Sequence, residues 1–247
     1  MNYEDKVRRE LANWEMKILT PPGLLERSSK KISEGLNRLI PSKVHRAITA
    51  AVKTIVRAAL LGADYTPKSE VRYGTGLMEA DERADELISL YQKIAAMEGA
   101  GTGAGGILLA AVDFPALIAI KMKFLFEMAH AYGFSTAVFS ERMFILHLFR
   151  LTYANTGLRP GLFAEIRDWP ETAKKWQDER QFMREFDWEQ FQKDYRDALD
   201  FRKMLQLLPG IGAAAGAWAN YGILEEIGEN AKNGYRLRLL QGKLPPP

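Results

Sequence analysis

The 247-residue sequence contains no cysteine and only three histidines. The lack of cysteine excludes a disulfide framework, thiolate zinc sites and a cysteine nucleophile, and three histidines are too few for most all-histidine metal sites. The formal net charge is only +3, which by itself does not indicate a nucleic-acid partner. No Gly-x-Ser-x-Gly motif and no convincing catalytic triad occur. These absences favour a protein without a recognisable reaction centre, and we expect neither a cofactor nor a bound metal.

A secretory signal and long apolar runs are also missing. The first nine residues carry charges and no apolar core, which predicts a cytoplasmic location. No uninterrupted apolar run reaches the length of about 20 residues that spans a bilayer. Residues 99–120 and 204–224 come nearest, but Asp113, Pro115 and Pro209 interrupt them. Their glycine and alanine content predicts buried helical pairs or shallow, re-entrant insertions.

Helical periodicity is present along most of the chain, whereas strand alternation is nearly absent. We therefore predict an all-α fold with about eight to ten helices. The fold is expected to be a single multi-helix bundle over residues 1–247 that contains two Gly/Ala-rich apolar helical segments. Residues 1–72 are predicted to form basic amphipathic helices, and residues 73–247 are predicted to form the core.

Positive charge is concentrated near the N-terminus. Residues 1–72 hold 14 basic and 8 acidic side chains, whereas residues 73–98 hold 2 and 6. In predicted helices 24–39 and 42–61, basic residues lie opposite an apolar face, at Arg27, Lys30, Lys31, Arg38, Arg46, Lys53 and Arg57, with Lys43 at the edge of the basic face. Two interpretations stay open: a solvated face over a soluble core, and a surface that attaches to anionic lipid headgroups. Nucleic acid is not favoured, because no aromatic residues interleave with the basic ones.

Residues 99–106 form a glycine-rich segment that contains a literal GxGxxG. A dinucleotide site is not favoured, because a predicted helix and not a strand precedes the motif. Glycines four residues apart in both apolar segments instead predict close helix packing, in water or in lipid. The positions expected in this packing, or around an apolar ligand, are Gly101, Gly103, Gly105, Gly106, Gly210, Gly212 and Gly216, together with Phe114.

Asp113 is the one charge in the first apolar segment. An unpaired carboxylate there would be costly, so we predict that Asp113 N-caps a helix that begins at Phe114 and Pro115. A buried ion pair or a functional acid stays open as an alternative.

Four further polar residues share helices with apolar neighbours. Glu127 and His130 are three residues apart, which is the half-motif of carboxylate-bridged di-metal bundles. No second copy of the motif exists, so a surface pair is favoured over a metal site. Glu141 is expected near a helix N-terminus, where it complements the dipole. Arg142 is predicted to pair with Asp113 or with another acid.

The order and spacing of several short motifs resemble the bacterial EcsC protein family from about residue 5 to residue 240. The motifs include residues 95–106, Asp113-Phe-Pro115, Tyr132-Gly-Phe134, Glu141-Arg142, residues 207–212 and Ala219-Asn-Tyr221. The resemblance implies membrane association but no established activity and no catalytic residues. The family's name comes from a gene beside the subunits of an ABC exporter, which the resemblance suggests as partners. Its recurrent positions, interpreted here as architecture, are Gly103, Gly106, Asp113, Pro115, Tyr132, Gly133, Glu141, Arg142, Pro209, Gly212, Asn220 and Tyr221.

The sequence thus supports three hypotheses of function. The first is a non-enzymatic peripheral protein at the inner face of the cytoplasmic membrane. The alternative is a soluble helical protein that encloses a lipid or other apolar ligand, lined by Phe114, Phe124, Phe126, Phe139, Phe144 and Phe149. An enzyme ranks last, because the only candidate polar cluster consists of Asp113, Glu127, His130, Glu141 and Arg142, and no pattern fixes its geometry.

Overall fold

The computed structural model describes residues 2–21, 70–103, 106–154, 156–175, 179–185, 187 and 212–242, together with Lys53 and Arg57. Over these residues the secondary structure is helical and contains no strand, which confirms the predicted all-α fold class. The helices are α1 (Tyr3–Leu19), α2 (Leu77–Gly103), α3 (Gly106–Ala131), α4 (Phe139–Tyr153), α5 (Arg159–Arg167), α6 (Trp169–Lys174), α7 (Glu179–Glu185) and α8 (Gly212–Leu240).

Helix α1 is amphipathic and covers one side of the core. Its apolar residues Val7, Leu11, Trp14 and Ile18 recur every three or four positions and are buried. The helix start is stabilised by Asp5, whose carboxylate accepts a hydrogen bond from the backbone N–H of Asn2 at 3.2 Å. Burial of one face and a satisfied N-terminus together explain why this charged segment is helical.

Helices α2 and α8 form the most extensive helix pair of the described chain, and they run antiparallel. Asp81 contacts Arg236, Asp85 contacts Lys232, and Ile88 lies against Gly228. The side chain of Ile88 fills the space that a Cβ atom at Gly228 would need, because such an atom would lie 2.6 Å from Ile88 Cγ1. The backbones therefore approach closely at this point.

The core lies between this pair and helices α3 and α4. All seven residues from Met143 to Phe149 of α4 are buried. Phe144 packs against Trp169 and Tyr235, with ring centroids 5.0 and 5.1 Å apart. The aromatic contacts join α4, α6 and α8 into one packed layer.

The predicted N-cap at Asp113 is wrong. Helix α3 begins at Gly106, so Asp113 and Pro115 both lie within it. The prediction assumed that proline marks the first helical turn, where its missing N–H costs nothing. A 26-residue helix instead continues through Pro115 and tolerates the single backbone hydrogen bond that proline cannot make.

Several positions singled out in the sequence fall outside the described residues: Arg27, Lys30, Lys31, Arg38, Lys43, Arg46, Gly105 and Gly210. Lys53 and Arg57 are helical. Gly101 and Gly103 lie near the end of α2, Gly106 and Phe114 in α3, and Gly212, Gly216, Asn220 and Tyr221 in α8.

We expect Gly228→Ala to lower the free energy of unfolding by about 1–3 kcal/mol, because the new methyl group overpacks the contact with Ile88. Gly222→Ala, in the same helix and with no atom within 4 Å of its Cβ position, is the control. It should be neutral or stabilising by up to about 1 kcal/mol. Urea denaturation measures both, and equal effects would contradict the close approach.

Candidate functional site

The polar residues predicted as a cluster occupy different surroundings. Glu127 and His130 line a cleft together. Glu141 is buried and pairs with Arg238 in the core. Arg142 donates to the backbone carbonyls of Thr136 and Ala137 at 2.9 and 3.0 Å.

A buried ion pair that sequence reasoning missed joins the two long helices. Asp81 in α2 accepts hydrogen bonds from Arg236 Nε of α8 at 2.9 and 3.0 Å. The same carboxylate accepts hydrogen bonds from the hydroxyls of Tyr3 and Tyr132. Arg236 also donates to Glu10 at 2.9 Å and to Asn233 at 3.1 Å. Because both oxygens of Asp81 are satisfied, the cluster stabilises the fold and offers no reactive acid.

The surroundings of this ion pair shift the pKa values of its members. Burial and the hydrogen bond to Asp81 raise the pKa of Tyr3 to about 12. Burial, with the charge of Asp81, raises the pKa of Tyr132 well above its ordinary value. Burial alone would lower the pKa of Arg236, but the hydrogen bonds to Asp81 and the charges of Asp81 and Glu10 together raise it. Both tyrosines therefore remain hydrogen-bond donors at neutral pH.

A second buried pair lies at the other side of α8. Arg238 donates two hydrogen bonds to the carboxylate of Glu141, at 2.6 and 2.8 Å. Its guanidinium lies 3.9 Å from the centroid of the Phe134 ring and 4.5 Å from that of Phe144. The two rings stabilise the cation as well as shielding it from water. This pair holds α4 against α8. Both oxygens of the Glu141 carboxylate are engaged by Arg238.

His147 is a third buried polar group. Its Nδ1 lies 2.8 Å from the carbonyl oxygen of Met143, and its Nε2 lies 3.3 Å from a carboxylate oxygen of Glu165. The hydrogen bond from His147 lowers the pKa of Glu165. The imidazole also packs edge-on against Trp169, with centroids 5.1 Å apart. These contacts fix α5 and α6 against α4.

The open cleft lies between the segment before α2 and the facing surfaces of α2 and α3. Its volume is about 670 Å³, and its polar lining includes Arg72, Tyr73, Glu79, Arg83, Glu127 and His130. The backbone N–H of Arg72 donates to the carbonyl of His130 at 3.1 Å, which holds the wall in place. The sequence singled out Glu127 and His130, but gave no sign that residues 70–75 would face them.

The glycine-rich ends of three helices lie at the end of the α2–α8 pair that is farther from the Asp81–Arg236 ion pair. Only two residues separate the end of α2 from the start of α3. The antiparallel register places the first turn of α8 level with the last turn of α2, since each residue adds 1.5 Å of rise. Near this end Met97 is 75% exposed and Tyr221 is 43% exposed. Because residues 99–112 and 212–224 carry no charge in the sequence, we call this end of the α2–α8 pair the apolar end.

Within the described part of the chain, no helix is long and apolar enough to cross a membrane. The same residues include no group of three or more His, Asp or Glu side chains placed to hold a metal ion. The half-motif Glu127-x-x-His130 therefore forms no multidentate metal site with its described neighbours.

A model of the EcsC protein family matches residues 5–240. Over 241 residues, the chain is 41% identical to protein EcsC of Bacillus subtilis (strain 168), and the alignment covers 98% of each protein. It is 30% identical over 166 residues to the uncharacterized protein YdbA of the same organism, covering 66% of this chain and 59% of that protein. No solved structure matches the chain.

We expect Asp81→Asn to lower the free energy of unfolding by about 3–5 kcal/mol, because it leaves the buried cation of Arg236 without its main counter-charge. Glu171→Gln is the control. It breaks the exposed pair with Lys174 and should cost no more than about 1 kcal/mol. Chemical denaturation measures both variants. A cost for Asp81→Asn as small as that of the control would show that the buried pair is not structurally important.

Alkaline pH should destabilise the protein. The folded pKa of Tyr3, about 12, exceeds the ordinary value of 10.0 that applies in the unfolded chain. The stabilisation is fully present below pH 10 and is lost as the pH rises towards about 12. Tyr3→Phe should make the decline shallower, whereas Tyr73→Phe, at an exposed position, should not. Unfolding free energies measured between pH 10 and pH 12 test this prediction. If wild type and Tyr3→Phe lost stability equally steeply with pH, the contribution of Tyr3 would be refuted.

Proposed function

The chain belongs to the EcsC protein family, and we propose that it is a non-enzymatic peripheral membrane protein that docks on the inner face of the cytoplasmic membrane. The proposal is carried by the apolar end, which combines the uncharged, glycine-rich sequence at the end of α2 with that at the beginnings of α3 and α8. The buried acids Asp81 and Glu141 are committed to ion pairs within the core. Carboxylates paired in this way are not available as catalytic groups, which favours a docking protein over an enzyme.

The apolar end suits shallow contact with lipid. Residues 99–112 carry no charge, and neither do residues 212–224. Helices with small residues on one face can pack closely within the headgroup region without exposing polar side chains. Met97 and Tyr221 would add apolar contact at the edge of this end, and tyrosine suits an interface because one end of its ring is polar.

The basic segment, residues 27–57, would supply the electrostatic attraction. It holds eight basic side chains and a single acid, Glu34. Each basic residue near an anionic surface contributes about 1 kcal/mol, so eight suffice for salt-sensitive binding.

Subunits of an ABC exporter are the proposed protein partners. Support for this comes from the family, whose name derives from a gene beside such subunits. A peripheral protein held at the membrane would meet a transporter in two dimensions, which raises its effective concentration.

The apolar-ligand alternative receives less support from the packing. Phe124, Phe126, Phe144 and Phe149 are fully buried against other core side chains. The cleft described above is lined largely by charged and polar residues. We therefore do not propose that these rings enclose a lipid.

Vesicle flotation tests the membrane proposal. The protein should float with vesicles that contain anionic phosphatidylglycerol, float less at high salt, and remain unbound with purely zwitterionic vesicles, because anionic headgroups attract the basic segment. Neutralising four of its cations (Lys30→Gln, Lys31→Gln, Lys53→Gln and Arg57→Gln) should weaken binding at least about tenfold.

The matched control neutralises four exposed cations elsewhere: Lys6→Gln, Lys174→Gln, Lys175→Gln and Arg184→Gln. It has the same net charge as the first variant, and it should float like the wild type. Equal losses in the two variants would point to a general charge effect. That result, or equal flotation with anionic and zwitterionic vesicles, would contradict docking through the basic segment.

A further inference from the structure

Hydrogen bonds to backbone carbonyls fix residues 70–75 as one wall of the cleft between α2 and α3. Arg72 N–H donates to the carbonyl of His130, and Thr75 Oγ1 donates to the carbonyl of Arg72 at 3.0 Å. Gly133 has φ +82°, a conformation that favours glycine, and its Cβ position lies only 3.1 Å from the Arg72 carbonyl oxygen. The wall is thus fixed before any ligand arrives, which lowers the entropic cost of binding.

One carboxylate in this cleft is only partly used. Glu127 Oε1 accepts a hydrogen bond from Tyr91 Oη at 2.9 Å. Its other oxygen has no hydrogen-bond partner among the described residues. Burial and the contact with Glu127 raise the pKa of Tyr91, so the phenol stays a donor and holds the carboxylate in one orientation. The half-buried group can therefore accept a cationic donor from the cleft.

Guanidinium groups supply the opposite charge in the same cleft. Nη1 of Arg72 lies 3.6 Å from Oε1 of Glu79, and both side chains are largely exposed. Arg83 contacts Glu86 at 2.7 Å through one of its nitrogens, which leaves other donors of the guanidinium available. Exposed ion pairs of this kind contribute little to stability. Replacing the glutamate partner of either arginine by a ligand oxyanion therefore costs little free energy.

We propose that this cleft binds a small zwitterion, in which a short apolar body joins an ammonium group to an oxyanion. The ammonium would donate to Glu127, the oxyanion would accept from Arg72 and Arg83, and Leu87 would contact the apolar body. The volume of about 670 Å³ lies in the range of small-molecule sites. This chemistry is found in free α-amino acids and in the ethanolamine phosphate headgroup. The site is independent of the proposed membrane docking, because it uses neither the basic segment nor the apolar end.

Isothermal titration calorimetry on the full chain tests the assignment with four probes: leucine, leucine methyl ester, N-acetyl-leucine and O-phosphoethanolamine. At least one of the two zwitterions, leucine or O-phosphoethanolamine, should bind. The ester and the acetylated derivative should each bind at least about tenfold more weakly than the tighter zwitterion, because each lacks one of the two charges. Leucine as the tighter ligand identifies a free amino acid, and O-phosphoethanolamine as the tighter ligand identifies the headgroup. Failure of both zwitterions to bind, or equal binding of either blocked derivative, overturns the proposal.

A pair of variants locates the site. Glu127→Gln keeps an acceptor for Tyr91 but removes the charge, and should weaken zwitterion binding at least about tenfold. Glu225→Gln makes the same change at an exposed position of α8 away from the cleft, and should bind like the wild type. Circular dichroism verifies that both variants are folded. Unchanged affinity in a folded Glu127→Gln protein, or equal weakening in the two variants, overturns the assignment.

Discussion

The buried ion pair of Asp81 and Arg236 is the constraint on which much of the packing depends. It lies where α1, α2, α8 and the end of α3 converge, and it recruits the hydroxyls of Tyr3 and Tyr132 as well as the carboxylate of Glu10. Neither charge could be buried alone without a large desolvation cost. The four elements are therefore fixed relative to one another by the need to satisfy a single carboxylate and a single guanidinium.

Charge pairing inside the fold also explains where function can lie. Asp81 and Glu141 are enclosed and fully engaged with arginines, so neither presents a free carboxylate to a substrate. Groups that could contact a partner remain elsewhere in the described chain: one oxygen of Glu127 in the cleft, and the exposed side chain of Met97 near the glycine-rich end. These features suit binding better than bond-making chemistry, since a reaction centre needs several reactive groups held around one point.

Sequence patterns anticipated the site only in part. The spacing of Glu127 and His130 correctly places both on one face of a helix, because residues three apart are neighbours there. The sequence could not assign Arg72 and Arg83 to the same cleft, because Arg72 lines it only through the packing of residues 70–75 against the end of α3. The N-cap expected at Asp113 failed because a local rule for proline was overridden by a longer continuous helix. A better signal was available at Asp81, a charge on the same helical face as the buried Ala80, Ala84 and Leu87.

By itself the sequence determined the helical class, the family and the uneven distribution of charge, because helical periodicity, motif order and composition are properties of the chain taken in order. Only the tertiary structure decided which charges meet. Asp81 and Arg236 are 155 residues apart, and Glu141 and Arg238 are 97 apart. No local pattern encodes such pairs, because their energy arises from desolvation and geometry that exist only once the helices have packed.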